Sequence, residues 1–214
     1  LVAPTLTAIA NLESEGLFNS LLSGGIMHDN AIHFTKDLNC VKTSSVLVTM
    51  HRPSNVDSTE RLRSWVDSIS DFCLDNRISA IFPVHPRTEK GLIEIFGKDF
   101  KSTLINKSIK AIKPVGYIEL LKLLKSSSLV ITDSGGVQKE AYSCGTPPVV
   151  IRHNTEWVEL VDSGHSILCP EPSDLMELAT SRHSQMIDTS DNLYGDGNAS
   201  VHILKEISKR FSRL

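Results

Sequence analysis

The residues best suited to chemistry lie in Leu129-Val-Ile-Thr-Asp-Ser-Gly-Gly-Val-Gln-Lys-Glu-Ala141. An apolar run ends in Asp133-Ser134-Gly135-Gly136 and a helix-forming stretch follows at once. Free backbone N–H groups and the positive end of a helix dipole therefore face one spot, which suits an anion. Gly135 and Gly136 remove side chains where phosphate oxygens must approach the backbone, and Ser134 adds a hydroxyl donor. Glu140, one helical turn beyond Gly136, is placed to accept hydrogen bonds from a ribose diol beside the phosphates. The same residues also make a plain tight turn, with Ser134 as helix cap and no ligand, and the local sequence leaves that alternative open.

Three further groups follow other apolar runs. Thr49-Met50-His51-Arg52-Pro53 puts an imidazole and a guanidinium directly after one of them, and Phe82-Pro-Val-His-Pro86 puts His85 after the next. A lone histidine is most often structural, but two at equivalent strand ends point to function. Arg152-His-Asn-Thr-Glu-Trp157 groups Arg152, Thr155 and Glu156, which suits fork-shaped and hydroxyl contacts to a diphosphate or sugar. Its alternative is a capping turn with Thr155 as N-cap. The sequence has no GxxxxGK[ST] loop, no GxGxxG after the first strand, no GxSxG elbow and no HExxH helix. Cys40, Cys73, Cys144 and Cys169 form no CxxC pair, so four reduced thiols in a cytoplasmic protein are expected, with no metal and no cofactor.

The elements that must position these groups alternate from Ser45 onward between short β-branched runs and longer amphipathic stretches. Strands are predicted at Val46–Met50, Ala80–Val84, Ile109–Ile112, Leu129–Thr132, Pro148–Ile151 and Ile167–Cys169. Helices are predicted at Ser58–Leu74, Thr88–Gly97, Tyr117–Ser126, Val137–Ser143, Trp157–Asp162 and Ser173–Thr180. Nearly all-apolar strands suit a parallel sheet covered on both faces, and ligands of such sheets bind outside the carboxyl ends of the strands. Helical pieces are also expected at Thr7–Glu15 and His28–Leu38, and an amphipathic helix at Asn198–Phe211 after a polar loop.

The 214 residues, 40% hydrophobic and 22% charged with 12 Gly and 9 Pro, are an ordinary globular mixture rather than a fibrous or disordered one. A net charge of −3 gives no global field for nucleic acid or anionic membrane, so neither partner is expected. The longest apolar stretches, Ser45–Met50 and Pro147–Ile151, fall far short of the roughly 20 residues of a membrane span. The opening Leu1-Val-Ala-Pro-Thr5 reads as the middle of a longer protein rather than as a leader.

Taken in order, Val48-Thr-Met-His-Arg-Pro-Ser-Asn-Val-Asp57, Pro83-Val-His-Pro86, Pro114-Val-Gly-Tyr117, Thr132–Ala141, Arg152–Trp157 and Leu193-Tyr-Gly-Asp-Gly-Asn-Ala199 resemble the non-hydrolysing UDP-N-acetylglucosamine 2-epimerases. The resemblance spans nearly the whole chain. It implies a GT-B-like pair of Rossmann-like domains with the nucleotide-sugar between them, of which this chain holds the second. Implied boundaries are 1–43 for the tail of the first domain and a connector, 44–187 for the UDP-binding domain, and 188–214 for a loop and crossing helix. The family reaction eliminates UDP across C1–C2 of the sugar to a 2-acetamidoglucal and re-adds it with inversion at C2, using carboxylates of the first domain. Carried over, His51 is catalytic, and Arg52, Tyr117, Ser134, Gly135, Gly136, Glu140, Arg152 and Thr155 bind UDP or UDP-N-acetylglucosamine. His85 matches an allosteric position that takes a second substrate molecule. A homodimer is expected from the apolar stripe of the C-terminal helix. Pro53-Ser54 departs from the Arg-Glu or Glu-Glu that follows the His-Arg pair in the family. The alternatives are a non-catalytic nucleotide-sugar binding module and the donor-binding half of a GT-B glycosyltransferase.

Overall fold

The computed structural model describes residues 1–183 and 185–212. Contacts divide the chain into two compact units, Leu1–Leu38 with Asp188–Leu214, and Asn39–Ile187. In the first unit, strand β1 (Val2–Ala3) leads into helix α1 (Leu6–Ser14), which Thr5 caps by accepting the Ala8 N–H at 3.2 Å. Strand β2 (Leu21–Leu22) pairs in parallel with β1, Val2 opposite Leu21, and helix α2 (Ile26–Thr35) follows. Between them Gly24 has a φ of +82°, and a Cβ there would lie 2.8 Å from the Tyr194 carbonyl oxygen, so glycine alone fits.

The second unit runs β3 (Val46–Thr49), α3 (Pro53–Val56), α4 (Thr59–Asp75), β4 (Ala80–Pro83), α5 (Pro86–Phe96), α6 (Phe100–Asn106), β5 (Ile109–Ile112) and α7 (Tyr117–Ser126). It continues with β6 (Leu129–Thr132), α8 (Gly135–Ser143), β7 (Pro148–Val150), α9 (Val158–Asp162), β8 (Ile167–Leu168), a 3₁₀ turn at Pro172–Asp174 and α10 (Leu175–Arg182). All pairings in the six-stranded sheet are parallel, in the order β5-β4-β3-β6-β7-β8. The fold is α/β, a doubly wound Rossmann-like sheet of the GT-B type.

Helix α4 shows why these residues fold this way. Ser58 accepts the Arg61 N–H at its start, and Leu62, Trp65, Val66, Ile69, Phe72 and Cys73, three or four apart, are all buried in the central core. Each such side chain stabilises the fold by about 1.5–3 kcal/mol. Helices α5 and α10 pack beside α4, while α7 and α8 pack on each other. From β3 the chain winds outward through β4 and β5, returns to β6 beside β3, and winds outward the other way. The strand order therefore reverses between β3 and β6, and the carboxyl ends of those two strands border the crevice where such sheets hold ligands.

Helix α11 (Ala199–Phe211) belongs to the first unit, and the buried Asp29 carboxylate of α2 caps it by accepting the N–H groups of Ala199 at 3.1 Å and Ser200 at 2.9 Å. Among the described residues no helix is long and apolar enough to cross a membrane. The expected strands and helices are present with ends moved by at most three residues, the largest shift being the end of α2 at Thr35 rather than Leu38. Four differences matter more: the β1–β2 pair, helix α3 and helix α6 were not expected, and α8 begins at Gly135 rather than Val137. Pro53 at the first position of α3 explains that helix, because its fixed φ and missing N–H suit a helix start.

Candidate functional site

Two segments leave the sheet at its point of reversal: Met50-His51-Arg52 after β3 and Asp133-Ser134-Gly135 after β6. Register brings them together, Thr49 opposite Thr132 with their hydroxyls 2.6 Å apart. Asp133, fully buried, ties the first segment to the second. Its carboxylate accepts the backbone N–H of His51 at 3.1 and 3.0 Å, that of Arg52 at 2.8 Å, and the Asn55 side-chain amide at 3.2 Å. Arg52 Nε donates to the Asp133 carbonyl at 3.0 Å, and His51 Nδ1 lies 3.3 Å from Asp133 Oδ1.

Ser134 occupies the N-cap of α8 in extended conformation, yet its hydroxyl makes no cap hydrogen bond. Its backbone N–H is taken by Thr132 Oγ1 at 3.0 Å. The first-turn N–H groups of Gly135, Gly136 and Val137 have no intrahelical acceptor and are not capped by that hydroxyl. Along the same helix Glu140 is only 6% exposed, and among the described residues no donor reaches its carboxylate, which leaves its oxygens available to accept hydrogen bonds from a ligand. Burial holds the Glu140 carboxyl above the usual carboxylate range. Tyr117, first residue of α7, has its phenol pushed up by burial and then by the Glu140 charge.

The loop after β7 is stitched onto this turn. Arg152 grips Glu156 at 2.6 and 3.2 Å, and Arg52 donates to the same carboxylate at 3.1 Å. The Arg152 hydrogen bonds hold the Glu156 carboxyl down to about 2. Thr155 donates to Gln138 at 2.7 Å and accepts the Trp157 N–H at 3.1 Å, and the Trp157 indole donates to the Gly135 carbonyl at 2.8 Å. The capping alternative for Thr155 is therefore corrected: α9 starts at Val158 behind Trp157, with no side-chain cap, and the Thr155 hydroxyl joins its loop to α8. Lys139 Nζ lies 3.8 Å from the Trp157 ring centroid.

Two clefts open here. One of about 160 Å³ is lined by His51, His85, Ser134 and Val137 among others, with the two imidazole centroids 5.5 Å apart. The other, about 480 Å³, is lined by Arg52, Asn55, Arg61, Arg152 and His153 among others. His85 is the N-cap of α5, its Nδ1 accepting the Arg87 N–H at 3.1 Å. The structure thus brings His51, His85 and Ser134 together, and Arg52 with Arg152, while Tyr117 and Glu140 approach each other from α7 and α8. Sequence reasoning missed Asn55, Gln138 and Arg61, polar residues inside otherwise amphipathic stretches. The one signal for Asn55 is its place within the His-Arg-Pro segment that the site already claims. Among the described residues no three His, Cys, Asp or Glu side chains are grouped to hold a metal ion.

A profile of the UDP-N-acetylglucosamine 2-epimerases matches residues 1–208. The chain belongs to the UDP-N-acetylglucosamine 2-epimerase family. It is similar to the UDP-2,3-diacetamido-2,3-dideoxy-D-glucuronate 2-epimerase of Pseudomonas aeruginosa, with 36% identity over 98% of this chain and 59% of that protein. A UDP-N-acetylglucosamine 2-epimerase homolog of Methanococcus maripaludis is 35% identical over 96% of this chain and 59% of that protein. Among solved structures it resembles the Methanocaldococcus jannaschii UDP-GlcNAc 2-epimerase in complex with UDP-GlcNAc and UDP, with a TM-score of 0.83 and 32% identity over 98% of this chain and 60% of that one. The chain therefore spans about three fifths of the length of these relatives, matching their C-terminal portion.

Proposed function

We propose that this chain is the UDP-binding part of a 2-epimerase acting on UDP-N-acetylglucosamine. The observation that supports it best is the set of partnerless groups on α8: the open first-turn N–H groups, the free Ser134 hydroxyl and the buried, unbonded Glu140 carboxylate. On this reading the diphosphate sits against Ser134, Gly135 and Gly136, Glu140 holds the ribose hydroxyls, and Tyr117 lies by the uracil. His51 handles a proton at the sugar, Arg52 and Arg152 balance phosphate charge with Glu156 between them, and Thr155 fixes their loop. His85 faces a second nucleotide-sugar. Elimination of UDP across C1–C2 and its re-addition also need carboxylates from the rest of the family's length, so this chain alone binds without turning over.

The organisation goes with that reading. Residues 1–43 are the tail of another domain and a connector, 44–187 the nucleotide domain, and 188–214 a loop and crossing helix. A lone two-stranded parallel sheet is rare, since parallel sheets are covered on both faces, so β1 and β2 are the edge of a larger sheet supplied by the family's remaining length. The protein works in the cytoplasm as a homodimer, without nucleic acid or membrane as partner.

A second reading is favoured by the Pseudomonas relative, named for a diacetamido-glucuronate: Arg52, Arg61 and Arg152 around the larger cleft suit a sugar carboxylate. Calorimetry of the chain with UDP tests nucleotide binding; the expected result is weak binding and no UDP-N-acetylmannosamine by chromatography. Full-length protein offered both nucleotide-sugars decides between the readings, and failure to epimerise either one contradicts both.

A further inference from the structure

Resting on the reading of His51 as the group that handles a proton, we infer that Asp133 is its positioning residue: it fixes the His51 imidazole as the Nδ1–H tautomer, leaving Nε2 as a proton acceptor open to the cleft. Asp133 touches no ligand in this reading and acts through His51.

His51 Nδ1 stands 3.3 Å from Asp133 Oδ1, an ion-pair distance off the line of a hydrogen bond, and a carboxylate that only accepts favours the tautomer with hydrogen on that nearer nitrogen. The carboxylate cannot turn away. Oδ2 is claimed by the backbone N–H of Arg52 at 2.8 Å and by Asn55 Nδ2 at 3.2 Å, while the His51 N–H spans both oxygens. Asn55 is itself locked, donating also to the Ile151 carbonyl at 3.0 Å and accepting the Trp65 indole N–H at 3.2 Å. Asp133 is fully buried, so water cannot substitute. A buried carboxylate that selects a histidine tautomer and would stabilise the imidazolium is a known way to make the far nitrogen a base.

The neighbouring histidine is set the opposite way. His85 Nδ1 accepts the Arg87 backbone N–H at 3.1 Å, so its neutral ring carries the proton on Nε2. The same cleft is therefore lined by one imidazole with a free acceptor and one with a free donor, their centroids 5.5 Å apart.

The test uses the whole chain labelled with ¹⁵N-histidine, at about pH 8.5 where free imidazoles are neutral. Long-range ¹H–¹⁵N spectra report which nitrogen of each ring bears hydrogen, and the His51→Gln spectrum assigns the His51 signal among the eight histidines. The expected result is Nδ1–H for His51 in the parent and Nε2–H in Asp133→Asn. In that variant the single amide oxygen takes the Arg52 and Asn55 donors, and the NH₂ must face the ring. Nε2–H in the parent overturns the inference, as does Nδ1–H retained in a folded Asp133→Asn. If that variant fails to fold, the parent spectrum alone decides. No turnover is measured, so a wrong catalytic reading of His51, tested by His51→Gln activity in the full-length enzyme, shows up separately.

Discussion

Arg152 holds Glu156 through two guanidinium N–H groups, at 2.6 and 3.2 Å, within one loop. Because the Glu156 carboxyl is held down to about 2 from 4.5, its stabilising contribution is present above about 4.5 and lost as pH falls through about 2. The Glu156 side chain is 48% exposed, and solvent screening reduces that contribution to about 1 kcal/mol. Glu156→Gln should melt about 2–4 °C below the parent at neutral pH. The gap should narrow steadily on acidification from pH 4.5 toward pH 2; a gap independent of pH in that window contradicts the assignment.

Glu140 works in the opposite sense. Burial raises its carboxyl, so the folded state prefers the protonated form and folding becomes less favourable as pH rises from the unfolded value near 4.5 through the raised folded one. Glu140→Gln should therefore raise the melting temperature of the chain at pH 7. It should also weaken UDP about tenfold, since hydrogen bonds to a charged acceptor are worth about 1.5–3 kcal/mol. Melting curves and calorimetry on the same samples give both signs. A variant that melts lower and binds UDP as the parent does would remove Glu140 from the site.

Much of this was legible in the sequence because the sheet is buried on both sides. Val46–Thr49 and Leu129–Thr132 are unbroken apolar or β-branched runs, and Ser58 before the apolar spacing of α4 marks a helix start. The turn at Ser134–Gly136 was legible for the same reason: strand, glycines and helix stand in one short stretch. What escaped depends on separation along the chain. Asp133 meets His51, Arg52 and Asn55 across about eighty positions, and Asp29 caps Ala199 across 170. Strands of two residues, such as β1 and β2, carry too little pattern to register.

Gly135 gives a steric test of the anion site. A Cβ there would lie 3.3 Å from Glu156 Oε2 and 3.4 Å from Trp157 Nε1, both held by hydrogen bonds, so their loop must shift by a few tenths of an ångström. Gly135→Val should thus keep the fold at a cost of about 1–3 kcal/mol, while its branched side chain covers the helix N-terminus. UDP binding should fall below detection. Parent-like binding by a folded Gly135→Val would move the diphosphate elsewhere.

Helix α11 presents Val201, Leu204, Ile207 and Phe211 with exposures of 43, 63, 45 and 71%. These positions recur at three and four residues, so they form one stripe. Beside it, Leu1, Val2, Leu21, Ile203 and Ile207 border an apolar cleft of about 380 Å³. Apolar surface left in water forgoes about 25 cal/mol per Å², and a contiguous patch of this kind drives association. The isolated chain should therefore sediment as a dimer at micromolar concentration, and Leu204→Glu with Phe211→Glu should return it to monomer without lowering its melting temperature, because neither side chain is buried in the chain itself. A parent chain that stays monomeric through that concentration range would assign the stripe to some other surface than a second copy.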